Sequence, residues 1–211
     1  MSATASATAE LATTAHLENL VSRLVDQRLD ETFETRLKTI EEQKTPSISI
    51  IATKGTIDMG YPPFILASTA AALGWDVNIF FTFYGLSLLK KELELQVSPL
   101  GNPAMPMKMP FGSEWFKAID WKMPNLLSSN VPGFEGLATG MMKKTLRDKG
   151  VASIDELRSV CIEADVKLFA CQMTVDLFGF DQSEFIDEVA GWIGAASYLP
   201  LSQKADVSLF I

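Results

Sequence analysis

The sequence predicts an α/β fold whose mostly parallel sheet of about five strands carries helices on both faces. Three observations predict it. Short β-branched and aromatic runs, SISIIAT, VNIFFTF, VKLFAC and VSLFI, have the length and apolarity of buried strands. Segments of helical periodicity fall between them, so successive strands must pair in parallel through crossovers. Hydrophobic residues make up 47% of the 211, enough for a packed core.

In chain order, residues 1–14 are small and polar and are expected to be mobile. Leu17, Leu20, Val21, Leu24, Val25, Leu29, Phe33, Leu37 and Ile40 then recur at steps of three and four. This predicts an amphipathic N-terminal helix over 15–45, stopped by Lys44-Thr45-Pro46. Its apolar stripe suits either its own domain or a copy of itself. The α/β domain follows, over 46–211. The first strand, 47–53, runs into KGTIDMGYPP, which reads as a loop because of its glycines and paired prolines. A small-residue helix spans 64–74 and ends at Gly74. A second strand, 77–83, leads into a short helix from Tyr84.

A Met/Pro-rich insertion near 99–132 is unlike the rest. Residues 96–132 hold six of the ten prolines and four of the nine methionines, too many prolines for regular structure. Within it, Trp115, Phe116 and Trp121 mark a small helical island. Helical patterning resumes over FEGLATGMMKKTLRDKG. Ser153 to Glu156 forms a capping box that opens a helix reaching about Ala164. The third strand is 166–171. Asp181 to Glu184 looks like another cap, predicting a helix through about Ala196. The chain ends on a strand, and a fifth strand is expected near 96–98. The whole is a Rossmann-like (flavodoxin-like) architecture.

Composition prunes the chemistry. The net charge is −8 and no basic run exceeds two residues, which disfavours nucleic acid. No apolar run is long enough to span a bilayer, and the N-terminus lacks the pattern of a secretory signal. A cytoplasmic location, with reduced thiols, is expected. The single histidine, His16, lies far in sequence from Cys161 and Cys171, so a Cys–His catalytic pair or a zinc site is not expected. No CxxC, GxGxxG or phosphate-binding GxxxxGK[ST] is present, and no cofactor or metal is predicted.

Ligands of open parallel sheets bind beyond the carboxyl ends of the strands. The first strand exits into Lys54, Gly55 and Thr56, the second into Tyr84, and the third ends on Cys171. Cys171 is therefore the candidate catalytic residue. Lys54 and a short turn capped by Thr174 are the expected sources of thiolate stabilisation. From position alone, a merely buried Cys171 is an equal alternative. Cys161 shares a helical stripe with Leu157, Val160 and Ala164, which favours core packing. The two thiols are offset by about 10 Å along helix and strand, beyond disulfide reach.

The stretches KGTIDMGYPPFILASTAAALG, IFFTFYGLSLLKK, VSPLGNPAMPMKMP and VKLFACQMTVDLFG resemble the DsrE/DsrF/DsrH-like family, in the branch often labelled peroxiredoxin-like or DsrE-type sulfurtransferase. The likeness covers roughly 47–211. It implies a homo-oligomeric sulfur carrier, with the family's functional cysteine at Cys171 loaded as a persulfide or thiosulfonate. It implies a possible second thiol at Cys161. It also implies donor and acceptor proteins of sulfur metabolism, such as TusA-like carriers and rhodanese-like proteins. The helix before 46 and the stretch 111–122 depart from the common domain. On this reading Lys54 holds an anionic donor, with Gly55, Thr56, Tyr84 and Met173 lining the substrate pocket. The alternatives are a non-catalytic assembly subunit and a thiol peroxidase. The last is disfavoured by the lack of a partner histidine.

Overall fold

The computed structural model describes residues 2–98, 108–109, 112–120, 130 and 132–211, and only the backbone of 2–18 and 41–43. The chain divides into two compact units, Met1–Thr45 and Pro46–Ile211. The first is one helix, α1 (Ser2–Gln43). It begins at Ser2, ahead of the expected start near residue 15. The leading stretch is rich in alanine, the strongest helix former, so its small residues extend the helix. Leu20, Val21, Leu24, Val25, Leu29, Phe33, Leu37 and Ile40 are all exposed along it. Among the described residues, no helix is long and apolar enough to cross a membrane.

The second unit is a five-stranded sheet, every pairing parallel, in the order β4-β3-β2-β1-β5. Its strands are β1 (Ser47–Ala52), β2 (Asp76–Phe81), β3 (Lys167–Cys171), β4 (Val189–Ile193) and β5 (Val207–Phe210). The helices are α2 (Ile57–Ala72), α3 (Glu114–Lys117), α4 (Phe134–Asp148), α5 (Ile154–Glu163), α6 (Gln172–Phe178) and α7 (Ala195–Lys204). The first four strands step one way across the sheet, and the last step returns past β1. Right-handed crossovers then set α7 on the face opposite α2 and α5.

Strand alternation sorts side chains onto these two faces. Ile48, Ile50, Ala52, Val77, Ile79, Phe81, Leu168 and Ala170 point to the larger core, with Phe64 and Ala67 of α2 and Cys161 of α5. Phe80 and Cys171 point the other way and pack with Tyr198 of α7. The Tyr198 ring stacks on Phe80 at 4.5 Å, and its hydroxyl is 2.7 Å from Ser49 Oγ. It also donates weakly, at 3.3 Å, to the carbonyls of Ile50 and Asn78. One buried tyrosine thus pins α7 to two strands.

Several local expectations need correction. α2 begins at Ile57, not near residue 64, and carries Pro62 and Pro63 inside it. The carbonyls of Asp58 and Met59 thereby lose their helical donors, while the burial of Ile57, Gly60, Pro63 and Phe64 holds the turn. The segment after β2 is a 3₁₀ helix, Phe83–Leu89. The fifth strand is Val189–Ile193, not 96–98. At 96–98, Gln96 O and the N–H groups of Val97 and Ser98 instead meet Ile57 N–H, Thr139 Oγ1 and Asp58 Oδ1. The capping box at Asp181 is real but closes only the 3₁₀ turn Gln182–Glu184. Beyond it, the Lys90–Phe185 bridge and the bond from Ile186 N–H to Leu89 O draw the chain away from a helix and into β4. The capping box at Ser153 opens α5 as expected. The Met/Pro-rich insertion near 99–132 lies mostly outside the described residues, as does Trp121. Its described part includes α3, with Trp115 and Phe116.

Tyr198→Phe should lower stability by about 1–2 kcal/mol, because it strands the Ser49 hydroxyl in the core. Chemical denaturation should show a lower midpoint with an unchanged slope.

Candidate functional site

Cys171 is the last residue of β3 and the N-cap of α6, with extended backbone at φ −75° and ψ 106°. The expected turn after Thr174 is this helix, which starts three residues earlier and ends at Gly179 in the left-handed region, φ 66°. Thr174 is its third residue and lies fully buried. The neighbouring strand supplies the other wall. Phe81 is paired with Ala170, so the next residue, Thr82, comes level with Cys171. The Thr82 and Thr174 hydroxyls are 3.2 Å apart. Thr174 Oγ1 also accepts a long bond, 3.4 Å, from Phe83 N–H. Phe83 adopts φ 49°, a strained conformation for a bulky residue that costs about 1–3 kcal/mol.

Cys171 has only 2% of its surface exposed. Burial pushes its pKa up. Opposing this are the hydroxyls of Thr174 and Thr82 and the N–H groups of Thr174 and Met173, and together they hold it below the ordinary thiol value. The neutral thiol takes no geometrically strict cap bond. These donors act on the charge that forms when it ionises. Lys54, the activator expected from sequence, is not among the groups that act on Cys171. Thr82 had no signal in the sequence beyond its place near the end of an apolar strand, and only the sheet register reveals it.

A cleft of about 540 Å³ opens beside this site. It brings together Lys54, Gly55 and Thr56 from the exit of β1 with Phe83, Tyr84 and Ser87 from the 3₁₀ segment. Asp58, Ser98, Phe178 and Phe180 also line it. Two glycines let its walls meet. A Cβ on Gly55 would collide with Ser87 Oγ and the Tyr84 carbonyl, and one on Gly85 would strike the Ala52 carbonyl. Ser87 Oγ donates to Tyr84 O at 2.8 Å, and buried Arg158 donates to the carbonyls of Leu88 and Lys90 at 3.1 and 2.6 Å, fixing the far end of the segment. Of the sequence candidates, Lys54, Gly55, Thr56 and Tyr84 therefore share one cleft. Met173 does not line it, and its side chain is exposed. Cys171 sits behind the wall, linked to it through Thr174 and Phe83.

Cys161 is in a different environment. It is fully buried in the larger core, its Sγ lies 3.7 Å from the Phe64 carbonyl oxygen, and burial pushes its pKa up to about 12. Both cysteines are free thiols. Among the described residues, no group of three or more His, Cys, Asp or Glu is placed to hold a metal.

Fold and site together describe an α/β protein with a buried thiol at a strand exit, flanked by hydroxyl and N–H donors. Residues 44–210 match the model of the DsrE/DsrF/DrsH-like family, and the chain belongs to that family. It is 54% identical over 170 residues to a protein of Allochromatium vinosum named sulfur carrier protein DsrE2, an alignment covering 81% of this chain and 99% of the relative. It is 30% identical over 169 residues to a Bacillus subtilis protein named YrkE and described as uncharacterized, covering 80% of this chain and 99% of that one.

The pH dependence of alkylation should place the Cys171 midpoint below about 8.5, the value of a free thiol. A lowered pKa means that the reactive thiolate persists to lower pH. Lys54→Met should leave the midpoint in place, and Cys161 should stay unlabelled in the folded protein. Peptide mapping of the alkylated chain checks all three.

Proposed function

We propose that the protein is a sulfur carrier that accepts sulfane sulfur on Cys171 and passes it to a partner thiol. The observation that carries this reading is the Cys171 thiol itself, nearly closed to solvent yet surrounded by donors that favour its anion. The 54% identity to a protein named as a sulfur carrier supports it. In loading, the Cys171 thiolate attacks the outer sulfur of a donor persulfide. The new S–S bond makes Cys171 persulfide, and the donor leaves as its own thiolate. With tetrathionate the load is a thiosulfonate, and thiosulfate is the leaving group. Handing the sulfur to an acceptor thiolate reverses the first step. No group on the protein need act as a general base once Cys171 is ionised. Carriers of the TusA type and rhodanese-like proteins fit as donors or acceptors, because each presents a sulfur-bearing thiol. Lys54 is suited to hold an anionic donor at the cleft. A reducing cytoplasm suits this chemistry, which needs the free thiol.

After incubation with polysulfide or tetrathionate, intact mass should rise for the wild type and for Cys161→Ser. It should not rise for Cys171→Ser. Loading of the Cys171 variant equal to wild type defeats the proposal.

The carrier is also proposed to be a homo-oligomer. The eight exposed apolar side chains of α1 form a surface that water does not favour. Light scattering at micromolar concentration should give a multiple of the chain mass, and removing residues 1–44 should lower it. A monomer in both forms refutes the assembly.

A further inference from the structure

The two threonine hydroxyls meet beside Cys171 from separate elements: Thr82 from the exit of β2 and Thr174 from the first turn of α6. Sheet register sets Thr82, and the bond from Phe83 N–H sets Thr174. That N–H occupies a lone pair of Thr174 Oγ1, leaving the hydroxyl proton to be given away, to Thr82 or to sulfur. Whichever way the pair is oriented, one hydroxyl proton remains for Sγ.

What these protons do depends on where the charge lies. In the unloaded carrier the negative charge is on Sγ. In a deprotonated persulfide it is on the outer sulfur, about 2 Å further along the S–S bond. Donors aimed at Sγ therefore favour the unloaded thiolate over the loaded form. Resting on the carrier reading above, we propose that Thr82 and Thr174 are positioning residues that hold Cys171 as a good leaving group, so that the carrier gives up its sulfur readily and retains it weakly. In hand-off, the acceptor thiolate bonds to the outer sulfur, the S–S bond to Cys171 breaks, and its electron pair stays on Sγ among the hydroxyls. A better leaving thiolate makes this step faster and shifts its equilibrium towards the acceptor.

Among the described residues, no charged group acts closely on Cys171. On β2 and β3 the ionisable side chains, Asp76 and Lys167, lie at the opposite ends of the strands, and β4 has none. On α6, exposed Asp176 accepts a bond from Gln172 Nε2 at 2.7 Å. On α7, Tyr198 is engaged with Ser49. Lys54, at the exit of β1, lines the cleft.

The test uses the full chain as wild type, Thr174→Val, Thr82→Val and Thr174→Ser. Each is loaded with polysulfide and equilibrated with a fixed concentration of 2-mercaptoethanol, and the loaded fraction is read by intact mass. The pH profile of Cys171 alkylation is measured in parallel. Each valine variant should raise the alkylation midpoint by about half to one pH unit and shift the partition towards the loaded carrier by about three- to tenfold. Thr174→Ser should restore both. Thr82→Val provides the same readout should Thr174→Val fail to fold. A wild type that never loads overturns the carrier reading. A wild type that loads, with valine variants that partition as it does or lose sulfur more easily, overturns this proposal alone.

Discussion

The register between β2 and β3 is the constraint on which the site depends. Ile79 pairs with Leu168 and Phe81 with Ala170, each pair buried in the larger core. A slip of one residue would turn those side chains onto the smaller face and take their burial with them. The same register brings Thr82 level with Cys171 and sends the Cys171 side chain towards Tyr198. The hydrophobic energy of the strands, which has nothing to do with sulfur, thus holds hydroxyl and thiol together at no further entropic cost.

The two faces of the sheet also explain why two cysteines of one chain differ so much. Cys161 lies among apolar side chains of the larger core, with the Phe64 carbonyl oxygen near its sulfur, and burial disfavours its anion. Cys171 is also buried and packs on Phe80 and Tyr198, yet hydroxyl and N–H donors face it as well. Burial raises both thiols, and what decides the outcome is what replaces the lost water. A donor held in a site of low dielectric acts more strongly on the charge than the same donor in water.

Much of this was readable from the residues. Four of the five strands were apolar runs of the right length, and the thiol at the exit of VKLFAC followed from chain order alone. The capping box at Ser153 was equally plain, because its signal is local. The failures came where tertiary contacts overrode local signals. Asp181 and Glu184 form the cap they promise, but backbone bonds with Leu89 and Lys91 end the helix after one turn. Pro62 and Pro63 argued for a loop, and burial of their neighbours kept a helix. At the site, Lys54 was conspicuous because it is charged and stands at a strand exit. Thr82 was not, since nothing in FFTF distinguishes it. Its role appears only when β2 lies beside β3.

The strained backbone at Phe83 shows how cleft and thiol are joined. A left-handed conformation in a bulky residue persists only where its surroundings demand it. Here the turn must reverse the chain from the end of β2 into the 3₁₀ segment, where Gly85 N–H bonds to the carbonyls of Thr53 and Thr82. Gly85 has no room for a side chain against Ala52, so the chain cannot relax outward by changing the residue that touches β1. The strain falls on Phe83, whose N–H is thereby turned to Thr174 and which itself lines the cleft. Phe83 thus belongs to the wall of the cleft and, through its N–H, holds the hydroxyl beside Cys171. The cleft wall and Cys171 are thus joined by one peptide unit and one hydroxyl, those of Phe83 and Thr174.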